Sequence, residues 1–150
     1  MTELRWNSDF KSSIDLDRPV LAVAFKGLFD ASGAATSALE WLSSYFSFMK
    51  LGEIDPETFF DFTQERPTVL FGENGERELR WPANEINAIK TPEGQRDLVV
   101  IAGVEPHLRW KTFSTALTEV AHEVQAETVT TLGSMVGMIP HTRPLTIIGS

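Results

Sequence analysis

The sequence predicts an α/β domain in three layers, with a mainly parallel sheet flanked by helices and an inserted β-hairpin. Short apolar runs at 20–25 and 98–102 are typical of strands buried on both faces. Each run is followed by a loop and then by a helical apolar pattern, over 34–50 and 111–125. Because this alternation builds parallel sheets, we expect a single α/β domain over all 150 residues.

The first half of the chain alternates apolar runs with turn residues. A polar lead-in segment covers residues 1 to about 19. The helix predicted over 34–50 is apolar on nearly every side, so it should be buried against the sheet and against something else. Asp55-Pro56 is typical of a helix start, with aspartate at the N-cap, and predicts one or two helical turns over 55–62.

A β-hairpin and several short strands complete the predicted sheet. Asn74-Gly75 is the strongest hairpin-turn signal in the chain, and it joins strands predicted at 67–71 and 78–81. Imperfect alternation over 85–90 indicates an edge or half-exposed strand. The strands predicted after the second helix are 128–132 and 145–148.

Composition excludes several classes of protein. The net charge is -8, and the 13 lysines and arginines are scattered among 21 carboxylates, which argues against a nucleic-acid binder. No apolar run is long enough to cross a membrane, and the N-terminus has no signal-peptide pattern, so a cytoplasmic protein is expected. The chain has no cysteine, which excludes disulfides and thiolate chemistry. The three histidines have no metal-binding spacing, so we expect neither a metal nor a cofactor.

Three loops should converge on one side of the sheet, because right-handed crossovers align the carboxyl ends of parallel strands. These loops are 26–33, 103–110 and 133–144. Ligands bind beyond such strand ends, where arginine can hold an anion while histidine or glutamate transfers a proton. The candidate ligand-binding residues on these loops are Asp30, Glu105, His107, Arg109, His141 and Arg143.

A structural role for the same residues stays open. Glu105 and His107 could cap the following helix, and Arg109 could pair with Asp30 or Glu105. Arg143 could form an ion pair with either of the same two carboxylates. No Gly-x-Ser-x-Gly elbow, Walker lysine or complete Gly-x-Gly-x-x-Gly run accompanies them, so the residues specify no reaction and no catalytic group.

The aromatic residues of the first helix indicate a second kind of surface. Their apolar area is larger than packing against the sheet alone would bury. The chain is therefore predicted to be a non-enzymatic interaction protein that forms homo-oligomers. The candidate interface residues are Trp41, Tyr45, Phe46 and Phe48.

A series of short motifs runs in order through most of the chain. They are the segments 27–36, 55–62, Arg66-Pro67, Trp81-Pro82, 103–110 with Phe113, and 140–144. Together they resemble the bacterial, chiefly actinobacterial, branch of the proteasome assembly chaperone family. Members of that branch are usually longer, so the chain resembles their N-terminal half and is expected to be a fragment or a shortened form.

The resemblance implies a phosphorylase/hydrolase-like α/β fold, frequent self-association and a proteasome-related protein partner. Eukaryotic relatives can dock on proteasomes through a C-terminal tail of a hydrophobic residue, tyrosine and any residue, which this chain lacks, so docking of that kind is not expected. The bacterial branch has no settled biochemical role. The alternative is therefore a binding protein for an anionic metabolite, or a hydrolase-like enzyme, that uses the loops at the strand ends.

Overall fold

Six strands form one mixed sheet in the computed structural model, which describes residues 3–8, 15–92 and 95–149. Across this sheet the order is β1-β3-β6-β7-β2-β8, while β4 and β5 form a separate two-stranded hairpin. The elements in chain order are β1 (Leu4–Trp6), β2 (Val20–Lys26), a 3-10 turn (Ala31–Gly33), α1 (Ala34–Tyr45), β3 (Phe48–Ile54), α2 (Pro56–Phe59), β4 (Thr68–Phe71), β5 (Arg77–Arg80), β6 (Asn84–Ile89), β7 (Leu98–Val104), α3 (Trp110–Glu123) and β8 (Thr128–Thr131).

The prediction of a mainly parallel sheet is wrong, because parallel pairing is confined to β7-β2-β8. The pairings of β1 with β3, β3 with β6, and β6 with β7 are antiparallel. Strand β6 lies antiparallel between β3 and β7, so β3 runs in the same direction as β7 and β2. Helix α1 makes the crossover from β2 to β3. The fold is an α/β domain around a mixed sheet.

Helices cover both faces of the sheet. On one face, Leu39 of α1 packs in a cluster with Ala24 and Val100. On the other face, α3 packs on Val23 and Ile101. Neighbouring residues of one strand therefore point at different helices, as the alternation of side chains in a strand requires. The predicted layers of helix, sheet and helix are present.

Strand β7 and helix α3 confirm the clearest sequence patterns. Val99, Val100 and Ile101 are each almost fully buried, as expected for a strand covered on both faces. The buried stripe of α3 is Phe113, Ala116 and Val120, and Val124 extends it at the C-cap. The strand runs on through Gly103 to Val104, two residues beyond the apolar run at 98–102 and into the predicted loop.

The helix predicted over 34–50 is wrong beyond Tyr45. At Phe46 the backbone is extended, and Phe48–Ile54 is strand β3, paired on both sides with β1 and β6. A segment that is apolar at nearly every position shows neither the helical nor the strand period, so its sequence does not distinguish the two. Pairing with two neighbouring strands makes this segment a strand. Gly52 lies in this strand, where an added Cβ would be 2.5 Å from the backbone oxygen of Arg5.

The hairpin and the short helix agree with their sequence signals. The N–H of Glu57 donates to the Asp55 carboxylate at 3.1 Å, so Asp55 caps α2 as predicted, although the helix ends at Phe59. Gly75 has the positive φ that the hairpin turn requires. Strand β6, predicted as an edge or half-exposed strand, lies between β3 and β7 inside the sheet, and its residues 84–88 alternate between buried and partly buried.

Two segments at the ends of the chain differ from expectation. The lead-in segment contains strand β1, although part of that segment, residues 9–14, lies outside the described residues. The strand predicted at 145–148 is absent, and Leu145, Ile147 and Ile148 are exposed. A strand needs a partner edge, and these residues pair with none of the described strands.

Candidate functional site

Two polar clefts lie at the carboxyl ends of β2 and β7. The first, here called the hairpin cleft, has a volume of about 490 Å³ and lies between α1, β6 and the base of the hairpin. The second, the loop cleft, also of about 490 Å³, is bounded by the loops after β2 and β7. Both clefts share Lys26, Glu65 and Val104. Both clefts therefore lie where parallel strands end, as ligand sites in such sheets do.

Glu105 lines the loop cleft and holds the loop after β2. Its carboxylate accepts the N–H of Leu28 at 3.2 Å, and its own N–H donates to the oxygen of Lys26 at 2.9 Å. A Cβ at Gly27 would collide with this carboxylate, so glycine allows the two loops to approach. Glu105 does not cap α3.

His107 lines the same cleft with one ring nitrogen already engaged. The N–H of Asp61 donates to His107 Nδ1 at 3.2 Å, and the imidazole meets the ring of Phe60 edge-on at 5.9 Å between centroids. This contact requires a lone pair on Nδ1 and so leaves Nε2 as the ring's proton-bearing atom. Hydrogen bonds from the side chain and N–H of Thr63 and from the side chain of Gln64 lower the pKa of Asp61 to about 2.

Asp30 is buried away from both clefts, at the start of α1. Its carboxylate accepts the N–H groups of Ala35 and Thr36 at 2.8 and 3.3 Å, and the Thr36 hydroxyl at 2.5 Å. Ser134 Oγ donates to it at 3.4 Å, which links α1 to the loop after β8. Burial alone would raise the pKa of Asp30, but these hydrogen bonds outweigh burial and lower the pKa. The geometry makes Asp30 the anchor of the helix N-terminus.

Replacing Asp30 by alanine should lower the free energy of unfolding by roughly 2 kcal/mol, because two N–H groups of the first turn lose their acceptor. Urea denaturation measures this change. The control is Glu105→Ala, which removes one partly exposed hydrogen bond and should cost less than about 1 kcal/mol. Equal losses from the two variants would contradict the anchoring role.

The remaining three candidates are not brought to the loop cleft. Arg109 begins α3 with a left-handed backbone, φ 54°, and its guanidinium lies 3.6 Å from the carboxylate of Glu3. It does not pair with Asp30 or Glu105. His141 and Arg143 are exposed in the segment after β8, and neither side chain makes an ion pair within the described part of the chain. Of the six candidates, Glu105 and His107 share a cleft, and a role in ligand binding stays a prediction for all six.

The four candidate interface residues occupy two elements. Trp41 and Tyr45 stand one helical turn apart on α1 and stack at 5.1 Å between ring centroids. They are 59% and 68% exposed. Phe48 is exposed at the start of β3, whereas Phe46 is half-buried and packs against the core beneath α1. We call Trp41, Tyr45 and Phe48 the aromatic face.

The hairpin cleft was missed as a site by sequence reasoning. Its walls include Arg66 and Trp81, which precede prolines at the two ends of the hairpin. Phe62 fixes the indole of Trp81 by an edge-on contact at 5.0 Å between centroids. The signal available in the sequence was the pair of motifs Arg66-Pro67 and Trp81-Pro82, but nothing local indicates that they face α1.

Residues 3–8, 15–92 and 95–149 contain neither a metal-binding cluster nor a membrane-spanning helix. This part of the chain has no cluster of three or more histidine, aspartate or glutamate side chains that could hold a metal ion. It also contains no helix long and apolar enough to span a bilayer.

These features define the protein's class: a helix-flanked α/β domain with a mixed sheet and polar clefts at the ends of its parallel strands. A PAC2 family model matches residues 24–150. The chain belongs to the PAC2 family, which confirms the resemblance of its motifs to proteasome assembly chaperones.

Solved structures agree with this assignment. A PAC2 family protein from Streptomyces avermitilis is 37% identical with a TM-score of 0.79, covering 84% of this chain and 54% of that one. A proteasome-assembly chaperone homologue from Mycobacterium tuberculosis is 38% identical with a TM-score of 0.75, covering 83% and 53%. A Corynebacterium glutamicum protein of unknown function shares the fold at 22% identity and a TM-score of 0.79, covering 94% and 53%.

The chain spans about half the length of each solved relative described above. None of the curated proteins compared with the chain matches it.

Proposed function

We propose that this domain is a non-enzymatic assembly protein, which binds copies of itself and a proteasome-related protein partner. Membership of the PAC2 family supports this proposal, as does the 38% identity to a protein described as a proteasome-assembly chaperone homologue. The observation that carries it is the exposed aromatic face of α1 and β3. Large aromatic side chains contribute most of the binding energy in protein interfaces.

The geometry of the aromatic face favours binding of a protein surface. Trp41 and Tyr45 are held by their own stacking contact, so little side-chain freedom remains to be lost when a partner covers them. Phe46 supports Tyr45 from the core side, with an edge-on contact of 5.0 Å between centroids. A rigid aromatic pair on a helix suits an isologous dimer, in which the same helix of a second copy packs against it.

The Trp41→Glu variant tests self-association through this face. The native chain should sediment as a dimer or larger species at about 100 µM, where even a weak interface is populated. Trp41→Glu should be monomeric with unchanged circular dichroism, because residue 41 is exposed and glutamate favours a helix. The matched control is Trp110→Glu on α3, where the native side chain is 54% exposed, and this variant should associate as the native chain does.

Two results would overturn this proposal. One is a native chain that is a strict monomer at that concentration and does not co-sediment with purified proteasome subunits. The other is association that Trp41→Glu and Trp110→Glu weaken equally, since a general effect of added charge would then account for it.

The second candidate function is a small-molecule binder or hydrolase-like enzyme that uses the loop cleft. Its support is that Glu105 and His107 line one cleft. Both side chains are already engaged with backbone N–H groups, and Arg109, the residue expected to hold an anion, is paired with Glu3. We therefore favour the assembly function.

A further inference from the structure

The hairpin cleft has walls of different chemistry. The α1 and β6 wall carries acceptor groups, from Glu40, Glu85 and Asn87. The opposite wall, at the base of the hairpin, carries the guanidinium groups of Arg66 and Arg80 and the carboxylate of Glu65. The cleft's volume, about 490 Å³, is within the usual range for a small-molecule site.

The cations of this cleft have no ion-pair partner. Lys26, Arg66 and Arg80 make no salt bridge with any described residue, although the chain carries a net charge of -8. Elsewhere in the described residues, Arg96 and Lys90 are paired, whereas Arg77, Lys111 and Arg143 make no salt bridge. Three unpaired cations facing one space can be neutralised together by an anionic group of a ligand.

The acceptor wall is only partly neutralised. Glu85 accepts a hydrogen bond from Lys50 at 2.9 Å, and that lysine also binds Glu53. Glu40 on α1 has no such cation among the described residues. A purely anionic ligand would therefore meet like charge on this wall, which disfavours it.

Asn87 supplies an unsatisfied acceptor at the same wall. Its side chain lines the cleft, while its Oδ1 is buried and accepts no hydrogen bond. A half-turn of the amide about χ2 would present this oxygen to the cleft, where a donor could reach it.

We propose that the hairpin cleft binds a small zwitterion of the amino-acid type. Its carboxylate lies between Arg66 and Arg80, and its ammonium group donates to Asn87 Oδ1 and to the carboxylate of Glu40. The exposed indole of Trp81 covers the ligand's side chain. Phe48 of the aromatic face also lines this cleft. The inference does not rest on the proposed assembly function, because it needs no second protein.

Nuclear magnetic resonance tests the proposal with the common L-amino acids as probes. At least one amino acid should give saturable shifts of the Trp81 indole N–H and the Asn87 side-chain NH₂. The best binder is then compared with two analogues, one lacking the ammonium group and one lacking the carboxylate. Both analogues should bind about tenfold or more weakly, since each loses one set of charge-assisted hydrogen bonds.

Variants separate the site from a general charge effect. Arg80→Ala and Asn87→Ala should each weaken binding by about tenfold or more. The control is Arg77→Ala on the same strand, whose guanidinium lies over the ring of Phe71 and does not line the cleft; its affinity should be native. Asn87→Ala should also leave stability unchanged or raised, because it removes an unpaired buried oxygen.

Any of three results would overturn the inference. The first is the absence of saturable shifts at Trp81 and Asn87 with every amino acid at about 10 mM, a concentration that detects millimolar affinity. The second is equal binding of the analogue without the ammonium group, which would make the cleft a simple anion site. The third is an equal loss of affinity in Arg77→Ala and Arg80→Ala.

Discussion

Replacing Asp97 by alanine should destabilise the domain by about 3 kcal/mol, one of the largest effects of any polar residue in the chain. The Asp97 side chain is 2% exposed. It accepts the ammonium of Lys90 at 2.5 Å and the N–H groups of Asp17 and Thr91 at 2.7 and 2.9 Å. Alanine leaves the N–H groups of Asp17 and Thr91 without this acceptor, at the points where the chain enters β2 and leaves β6. Urea denaturation measures the loss.

The contribution of Asp97 should depend on pH. Burial alone would raise its pKa, but hydrogen bonds from Lys90, Thr91 and Asp17, together with the charge of Lys90, outweigh burial and lower it below the ordinary value of 3.8. A carboxylate whose folded pKa is lowered contributes stability fully above its unfolded pKa and loses it as the pH falls through the folded pKa. The native chain should therefore lose more stability than Asp97→Ala when the pH falls from 5 to about 2.

Lys90→Ala separates the ion pair from the hydrogen bonds to the backbone. The Lys90 side chain is 55% exposed and can be solvated in the unfolded and folded states alike, so its removal should cost less than the removal of Asp97. If Lys90→Ala were the more damaging change, or if Asp97→Ala kept the native pH dependence, the proposed role of Asp97 would be wrong.

Local patterns predicted the elements whose signals lie within a few residues. The sequence shows a clear apolar pattern or turn type for three elements, and the structure matches each of them. These elements are β7, α3 and the Asn74-Gly75 turn. The prediction failed where distant segments decide. Phe48–Ile54 is apolar enough for either state and becomes a strand because β1 and β6 lie beside it. The prediction of a mainly parallel sheet was wrong for the same reason, since no local signal places β6 between β3 and β7.

The candidate site was predicted in part for a related reason. Placing Glu105 and His107 at the end of β7 needed only the rule that ligands bind beyond strand ends, and both line the loop cleft. Whether a polar side chain faces a cleft or bonds to the backbone depends on tertiary contacts. The engagement of Asp30 with α1 and of Arg109 with Glu3 has no signature in the neighbouring residues.

Asn84→Leu should cost roughly 2 to 4 kcal/mol, because a buried side-chain amide here takes the place of strand pairing. Asn84 is 1% exposed at the start of β6. Its Nδ2 donates to the oxygen of Val104 at 3.0 Å, and its Oδ1 accepts the N–H of Val104 at 2.8 Å. Leucine has a similar size but leaves both backbone groups of Val104 unpaired at the end of β7.

Gly103 increases this cost. An added Cβ at Gly103 would collide with Asn84 Oδ1, so glycine is what lets the amide lie against the strand. A branched leucine side chain must enter the same narrow space, which adds strain to the lost hydrogen bonds. Thermal and urea unfolding of Asn84→Leu, compared with the native chain, measure the combined effect.

Asn87→Ala is the matched control, since the two asparagines lie on one strand and differ in their bonding. Asn84 satisfies two backbone groups, whereas Asn87 Oδ1 is buried without a partner. Removing the first should destabilise the domain, and removing the second should not. If both variants lost stability equally, burial of the side chain rather than pairing with Val104 would account for Asn84. If Asn84→Leu were neutral, the end of β7 would not depend on the side-chain amide.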